Sequence, residues 1–135
     1  VYIHNFNYEI MNDINVKQVL IWRKDLNVRK GKIAAQIAHA SIAFLLEKIK
    51  TKNFEYSEEE LNWINTGQRK ICVYVNSEDE LLLLFENAKS KGLVTHLITD
   101  SGLTEFNGVS TRTCMAIGPH EASRIDELTR ELKLL

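Results

Sequence analysis

Residues 17–40 read KQVLIWRKDLNVRKGKIAAQIAHA, and the fold turns on how this stretch divides. Val19-Leu20-Ile21-Trp22 is a continuous apolar run, the mark of a strand covered on both faces, and Arg23-Lys24-Asp25 ends it. Gly31 then opens a helix. In it Ile33, Ile37, Phe44 and the alanines at 34, 38 and 40 give one apolar face that continues to about Lys50. The small residues let that helix lie close on a sheet.

Working outward, Ser57-Glu58-Glu59-Glu60 has the form of a capping box and predicts a short helix that stops at Gly67. Lys70–Val75 reads as a second strand. Ser77-Glu78-Asp79-Glu80 repeats the box before LLLLFENAKSK, and Gly92 is placed to end that helix in a left-handed conformation. Val94–Thr99 reads as a third strand and Thr111–Ile117 as a fourth, stopped by Gly118-Pro119. Glu121 to about Leu128 follows as a last helix. Strands joined through helices run parallel, whereas Thr99 and Thr111 are linked without one. The expectation is a three-layer α/β/α fold with a mixed four-stranded sheet of three parallel strands and one antiparallel strand. Residues 1–16 lack a clear period and are expected to be an N-terminal tail or an added extension, with Met11 a candidate start. Residues 17–135 form the single domain.

The 135 residues suit one domain with its own core, and the composition, 44% hydrophobic and 26% charged, is that of a globular protein. No apolar stretch suggests a secretory leader or a membrane span. Cys72 and Cys114 lie in the strand-like runs ICVYV and TCMAI, as reduced buried thiols of a cytoplasmic protein would. The net charge of -1 conceals an asymmetry: residues 17–52 carry +7 and the remainder -8. One basic face on a near-neutral molecule can attract a polyanion, although a solvated surface gives the same pattern.

Ligands of open α/β sheets bind beyond the carboxyl ends of parallel strands. Three segments converge there: Asp25–Gly31 with the following helix start, Asp100-Ser101-Gly102, and Thr111 with Thr113. Arg29-Lys30-Gly31-Lys32 sets three cations at a helix N-terminus, which favours an anion. Lys32, Gln36 and His39 share one helical stripe, a pattern that a helix's wet side also produces. The glycine and Ser or Thr of a P-loop are absent around Gly31-Lys32. His4, His39, His96 and His120 have no metal-ligand spacing, so neither a metal nor a cofactor is expected.

The run KQVLIWRKDLNVRKGKIAAQIAHA, the later LITDSGLTE, IGP at 117–119 and the ending ID..T..LKLL together resemble the second type of peptidyl-tRNA hydrolase, the one typical of archaea and eukaryotes. The resemblance runs from about Lys17 to Leu135. It implies a mixed four-stranded α/β/α fold, no metal, and hydrolysis of the ester joining a peptide to the terminal ribose of tRNA. It also implies a functional lysine at Lys32, an acid at Asp100 and two threonines at Thr104 and Thr113, with Gln36 and His39 matching the helix pattern. The chain departs from the family at Ser101, where alanine is common, at Ser110-Thr111 in place of Gly-Thr, and in a loop one residue longer before Thr113.

Ester hydrolysis needs a positioned water, a path for its proton and a donor for the oxyanion. An ordinary aspartate, with a pKa of about 3.9, is a weak base, so Asp100 is expected first to orient Lys32 and the water. Lys32 supplies positive charge, Thr104 and Thr113 position water or substrate, and His39 is a candidate proton carrier beside its alternative as a packing residue. Phosphates of the tRNA body would meet Arg23, Lys24, Arg29, Lys30 and Lys48, with Lys50 and Lys52 as further candidates, and the Gly31 backbone and Gln36 would help to hold the substrate end. Peptidyl-tRNA is the expected partner, and monomer and homodimer both stay open. A catalytically silent tRNA- or RNA-binding module of the same fold is the alternative. A receiver or nucleotide-binding domain would need several acids near the first strand, where only Asp25 stands.

Overall fold

The computed structural model describes residues 15–103 and 105–135. The expected N-terminal tail therefore lies mainly outside the described residues, as does Thr104. Strand β1 is Val16–Arg23, followed by helices α1 (Lys30–Thr51) and α2 (Glu58–Thr66), strand β2 (Lys70–Val75), helix α3 (Glu78–Ser90), strands β3 (Thr95–Asp100) and β4 (Thr111–Glu121), and helix α4 (Ala122–Thr129).

The four strands form one mixed sheet in the order β2-β1-β4-β3. Only β1 and β2 pair in parallel, from Gln18 opposite Lys70 to Arg23 opposite Val75. β4 is antiparallel to both β1 and β3 and separates them. β1, β2 and β3 thus run in one direction and β4 against them, but they do not form the expected block of three paired parallel strands, because β4 lies between β1 and β3 and leaves one parallel pair. The helix-free return from β3 reverses the chain, and β4 then takes the free edge of β1, leaving β3 on the outside.

β1 shows why a continuous apolar run was needed. Val19 and Ile21 join Val73, Val75, Leu81, Leu84, Ala88 and Ile125 in one cluster. Their neighbours Leu20 and Trp22, pointing the other way, join Ala40, Cys114 and Ala116, with Ile33 and Ile37 packed against them. Truncating a side chain such as Leu20 to alanine should cost about 2–5 kcal/mol. Val16 is buried with Phe44 and Trp63, whose rings meet edge to face at 5.7 Å. The sheet thus begins one residue inside the expected tail.

β4 continues through Gly118-Pro119, where the sequence predicted a stop. Lys17 faces His120 and Val19 faces Ile117, so two residues of β4 oppose the single residue Gln18. A proline without an N–H is tolerated where a bulge already interrupts the ladder. The Gln18 side chain fills the interruption, donating to the Ser41 carbonyl at 2.9 Å and accepting from the Ser41 hydroxyl at 2.6 Å.

The helix ends follow local chemistry. At α2 the capping box is complete: Ser57 Oγ accepts from the Glu60 N–H, and the Glu60 carboxylate accepts from the Ser57 N–H. At α3 only half of it forms, because Glu80 accepts instead from the Asn76 N–H. Gly92, just beyond α3, has a φ of 74°. The outer edge of β2 is covered by the chain's last residues, through Tyr74 N–H to the Lys133 carbonyl and Leu135 N–H to the Cys72 carbonyl.

Candidate functional site

The carboxyl end of β3 delivers Asp100 to the first two turns of α1, where Lys32 and Gln36 stand four residues apart on one stripe. Lys32 Nζ donates to Asp100 Oδ1 at 2.9 Å, and Gln36 Nε2 donates to the same oxygen at 3.2 Å. The Gly102 N–H donates to Oδ2 at 2.8 Å. Both carboxylate oxygens are therefore engaged, and the Lys32–Asp100 pair is largely shielded, with side chains 15% and 12% exposed.

These contacts hold the Asp100 carboxyl below its ordinary range. The Lys32 hydrogen bond acts most strongly, burial opposes it, and Gly102, the Lys32 charge and Gln36 add to it. Asp100 is consequently an anion at neutral pH and a poor proton acceptor. Its chemical capacity is to fix a lysine ammonium and to orient a polar group beside it. Phe106 also lies beside Lys32, its ring centroid 5.7 Å from Nζ.

Thr113 has no exposed surface. Its hydroxyl donates to Gln36 Oε1 at 2.7 Å, so the hydroxyl expected to meet water or substrate instead acts on the amide that meets Asp100. Cys114 packs beneath, donating to the Gln36 carbonyl at 3.4 Å. Burial pushes its thiol up to about 12 despite the Thr113 hydrogen bond, which removes it as a nucleophile. Cys72 is half-buried, its thiol also raised by burial against the pull of Lys70.

Just beyond β3, Gly102 meets residues 108–109. Gly102 has a φ of 84°, and a Cβ there would stand 2.1 Å from the Val109 carbonyl oxygen, so the approach requires glycine. The Gly108 N–H donates to the Gly102 carbonyl at 2.8 Å. Glu105 accepts from Arg29 Nε at 2.9 Å and from the Arg29 N–H at 3.1 Å. The start of α1, expected to attract an external anion, thus has an internal carboxylate beside it.

The expected cations divide into two groups. Lys30 and the backbone of Gly31 are exposed at the α1 N-terminus, and Lys24 is exposed with its ammonium 4.2 Å from the Tyr74 ring centroid. Lys50 and Lys52 are exposed at the far end of α1. Arg23, by contrast, is clasped by both oxygens of Asp25 and donates to the Arg112 carbonyl at 2.9 Å. Lys48 is drawn into the α1–α2 connection, bonded to the Glu55 carbonyl, 3.5 Å from Glu60 and 5.0 Å from the Tyr56 ring centroid. Neither is brought to the Lys32–Asp100 centre. Sequence reasoning missed Arg112, exposed on β4 next to Thr113, although strand alternation turns it to the opposite face. It also missed Phe106 and Glu105, whose roles depend on how the loop folds back.

A groove of about 820 Å³ starts at Gln36, Asp100 and Ser101 and runs between α1 and β3. His39 is exposed on its α1 wall, one turn beyond Gln36, and farther along the lining His96 pairs with Glu47 at 2.5 Å. Among the described residues, no group of three His, Cys, Asp or Glu is placed to hold a metal ion, and no helix is long and apolar enough to cross a membrane.

The family model described as "Peptidyl-tRNA hydrolase PTH2" matches residues 16–135. The chain is 43% identical over 126 residues to a peptidyl-tRNA hydrolase of Staphylothermus marinus, covering 93% of this chain and 100% of that protein. It is 40% identical over 119 residues to a peptidyl-tRNA hydrolase of Thermoplasma acidophilum, covering 88% and 97% respectively. For a peptidyl-tRNA hydrolase of Saccharolobus solfataricus the identity is 38% over 120 residues, covering 89% and 99%.

Proposed function

Because the chain belongs to the PTH2 family of peptidyl-tRNA hydrolases, we propose that it hydrolyses the ester between a peptide and the 3′-terminal ribose of tRNA, with the reacting carbonyl beside Lys32 and Asp100. The observation that carries this reading is the family match along residues 16–135. The Lys32–Asp100–Gln36–Thr113 chain of hydrogen bonds supports its placement at the end of β3. Free tRNA and free peptide are the products, and the cytoplasm, where translation supplies such esters, is the site of action. The sheet is read as the middle of three layers, supported by the opposite-facing clusters on β1.

In the reaction a water adds to the ester carbonyl carbon, and the carbonyl oxygen becomes an oxyanion. The Lys32 ammonium, held by Asp100 in a shielded position, offers a preorganised charge to that oxygen. Asp100 stays ionised and orients Lys32 and the water rather than taking the proton. The carbon–oxygen bond to the ribose then breaks, and the departing oxygen receives a proton. His39, exposed on the adjoining groove wall, is the candidate carrier that takes the proton released by the attacking water and delivers it to this oxygen. Thr113 positions Gln36, while Thr104 keeps its proposed role through the family resemblance. The tRNA backbone is assigned to Lys24, Arg29 and Lys30, with Lys50 and Lys52 farther along α1. Phosphate contacts of this kind serve every tRNA without reading its bases.

The test is turnover of N-blocked aminoacyl-tRNA and peptidyl-tRNA by purified protein with a chelator present. Release of free tRNA is the expected result. A folded protein that binds tRNA without cleaving it would leave a silent binding module, and activity abolished by the chelator and restored by a divalent ion would overturn the metal-free chemistry.

A further inference from the structure

The groove between α1 and β3 begins at the reacting end and contains a sheet edge that is unpaired among the described residues. β3 is the outer strand, and its partner β4 lies only on one side. The Val94 carbonyl accepts from the Gly118 N–H at 2.8 Å, and the Ile98 carbonyl is 3.5 Å from Thr113 Oγ1, so both point toward β4. By strand alternation, the N–H and C=O groups of Leu97 and Thr99 point away from it, toward the open edge. The opposite edge of the sheet is treated differently, since residues 133–135 cover β2 with backbone hydrogen bonds. Exposed edges are ordinarily blunted or covered, which makes one that no described residue covers, beside a reactive centre, informative.

We infer that the edge of β3 and the facing wall of α1 form the subsite for the peptide part of the substrate, which adds to the sheet as an extended strand. The inference rests on the functional reading above, because that reading puts the ester carbonyl at Asp100. The acyl chain attached to that carbonyl must leave the centre, and the groove is continuous with it at Gln36, Asp100 and Ser101. Direction follows from the same constraint. β3 runs from Thr95 to Asp100, and the peptide's C-terminal carbonyl is also at the Asp100 end, so the peptide pairs in parallel with β3. Main-chain hydrogen bonds to Leu97 and Thr99 give affinity regardless of sequence, and Ala43, Leu46 and Ile98 offer apolar contact to side chains. At about 3.3 Å per residue, the stretch from Asp100 back to Leu97 accommodates about three peptide residues.

The experiment compares kcat/KM for tRNA carrying one N-acetylated amino acid with that for tRNA carrying an N-acetylated tetrapeptide, in the parent and in Ala43→Trp, whose indole would fill the groove. The parent should favour the longer substrate by about tenfold, the scale of one or two added hydrogen bonds, and Ala43→Trp should bring the ratio near one. In parallel, a free N-acetylated tetrapeptide should inhibit the parent and slow hydrogen exchange at the Leu97 and Thr99 amides, and the same peptide N-methylated on its backbone should do neither. Equal rates on both substrates in the parent, or a ratio unchanged by Ala43→Trp, would overturn the subsite. Cleavage of neither substrate would instead refute the functional reading itself, and the subsite with it.

Discussion

Replacing Thr113 by valine removes one hydroxyl from a side chain with no exposed surface and keeps its branched shape, so its effects trace to one hydrogen bond. That bond, 2.7 Å to Gln36 Oε1, fixes the amide whose nitrogen meets Asp100 at 3.2 Å. Gln36 is only 5% exposed, so the abandoned oxygen cannot turn freely to water. Leaving it unsatisfied should cost about 1–3 kcal/mol. For a chain of this size that lowers the melting midpoint by about 4 °C per kcal/mol. Asp100 keeps Lys32 and Gly102, so its placement loosens without collapsing. A misplacement of this kind should lower kcat by about ten- to a hundredfold while KM changes little. Single-turnover cleavage of N-blocked peptidyl-tRNA, beside a thermal melt, measures both effects. Thr113→Ser keeps the hydroxyl and should recover most of the rate, although it gives up a methyl group. Parental kcat in folded Thr113→Val would refute the relay through Gln36, and equal damage in Thr113→Ser would reassign the effect to packing.

Four further outcomes follow from the same geometry. Asp100→Asn should lower turnover by about two orders of magnitude or more while tRNA affinity is kept, and near-parental cleavage would exclude the carboxylate. The depressed Asp100 pKa also gives stability that is present above the unfolded value of about 3.9 and lost as pH falls through the lower folded value, so the parent's urea midpoint should drop more steeply on acidification than that of Asp100→Asn. Lys48→Ala strips Glu60 and the Glu55 carbonyl of a partner and should cost about 1–3 kcal/mol with an unchanged salt slope of tRNA binding, whereas Lys30→Ala should leave the melt alone and reduce that slope by about one unit. A single shared phenotype for the two lysines would contradict their different surroundings. Gly102→Ala should push Gly102 and Val109 apart and lower turnover about tenfold, and Gly108→Ala, with open space around it, should be milder; equal effects would show that the Val109 contact is unimportant.

Much of this arrangement is legible in the order of the residues alone. Apolar runs mark the four strands, and Ser57, Gly67 and Gly92 punctuate the helices because capping and positive φ are local requirements. Which strand lies beside which is not local. A helix-free link between Thr99 and Thr111 specifies a reversal, yet nothing in it specifies that β4 will separate β1 from β3. Gly118-Pro119 misleads for a related reason: only the facing Gln18 turns an apparent stop into a bulge. At the site, Lys32, Gln36 and Asp100 are legible from helical spacing and resemblance. Thr113 is legible as a member of the site, but its burial beneath Gln36 depends on sheet register. Lys48 and Lys30 look alike as letters, and only Glu55, Tyr56 and Glu60 distinguish them.

The inserted position of β4 bears on the order in which the molecule comes into being. A ribosome delivers β1, α1, β2, α3 and β3 before β4, so a nascent chain can pair β1 with β2 early. Among the described residues, β3 has no partner in the sheet until β4 emerges and pairs on both of its own sides. Asp100, at the end of β3, therefore cannot be held against Lys32 by the completed sheet while synthesis is still upstream of residue 111. Nor can Gln36 receive the hydroxyl that arrives with Thr113. An unfinished copy of this chain, itself a peptide esterified to tRNA, lacks the arrangement proposed above to cut such a bond. On that proposal, activity is tied to completion of the strand that joins β3 to the sheet.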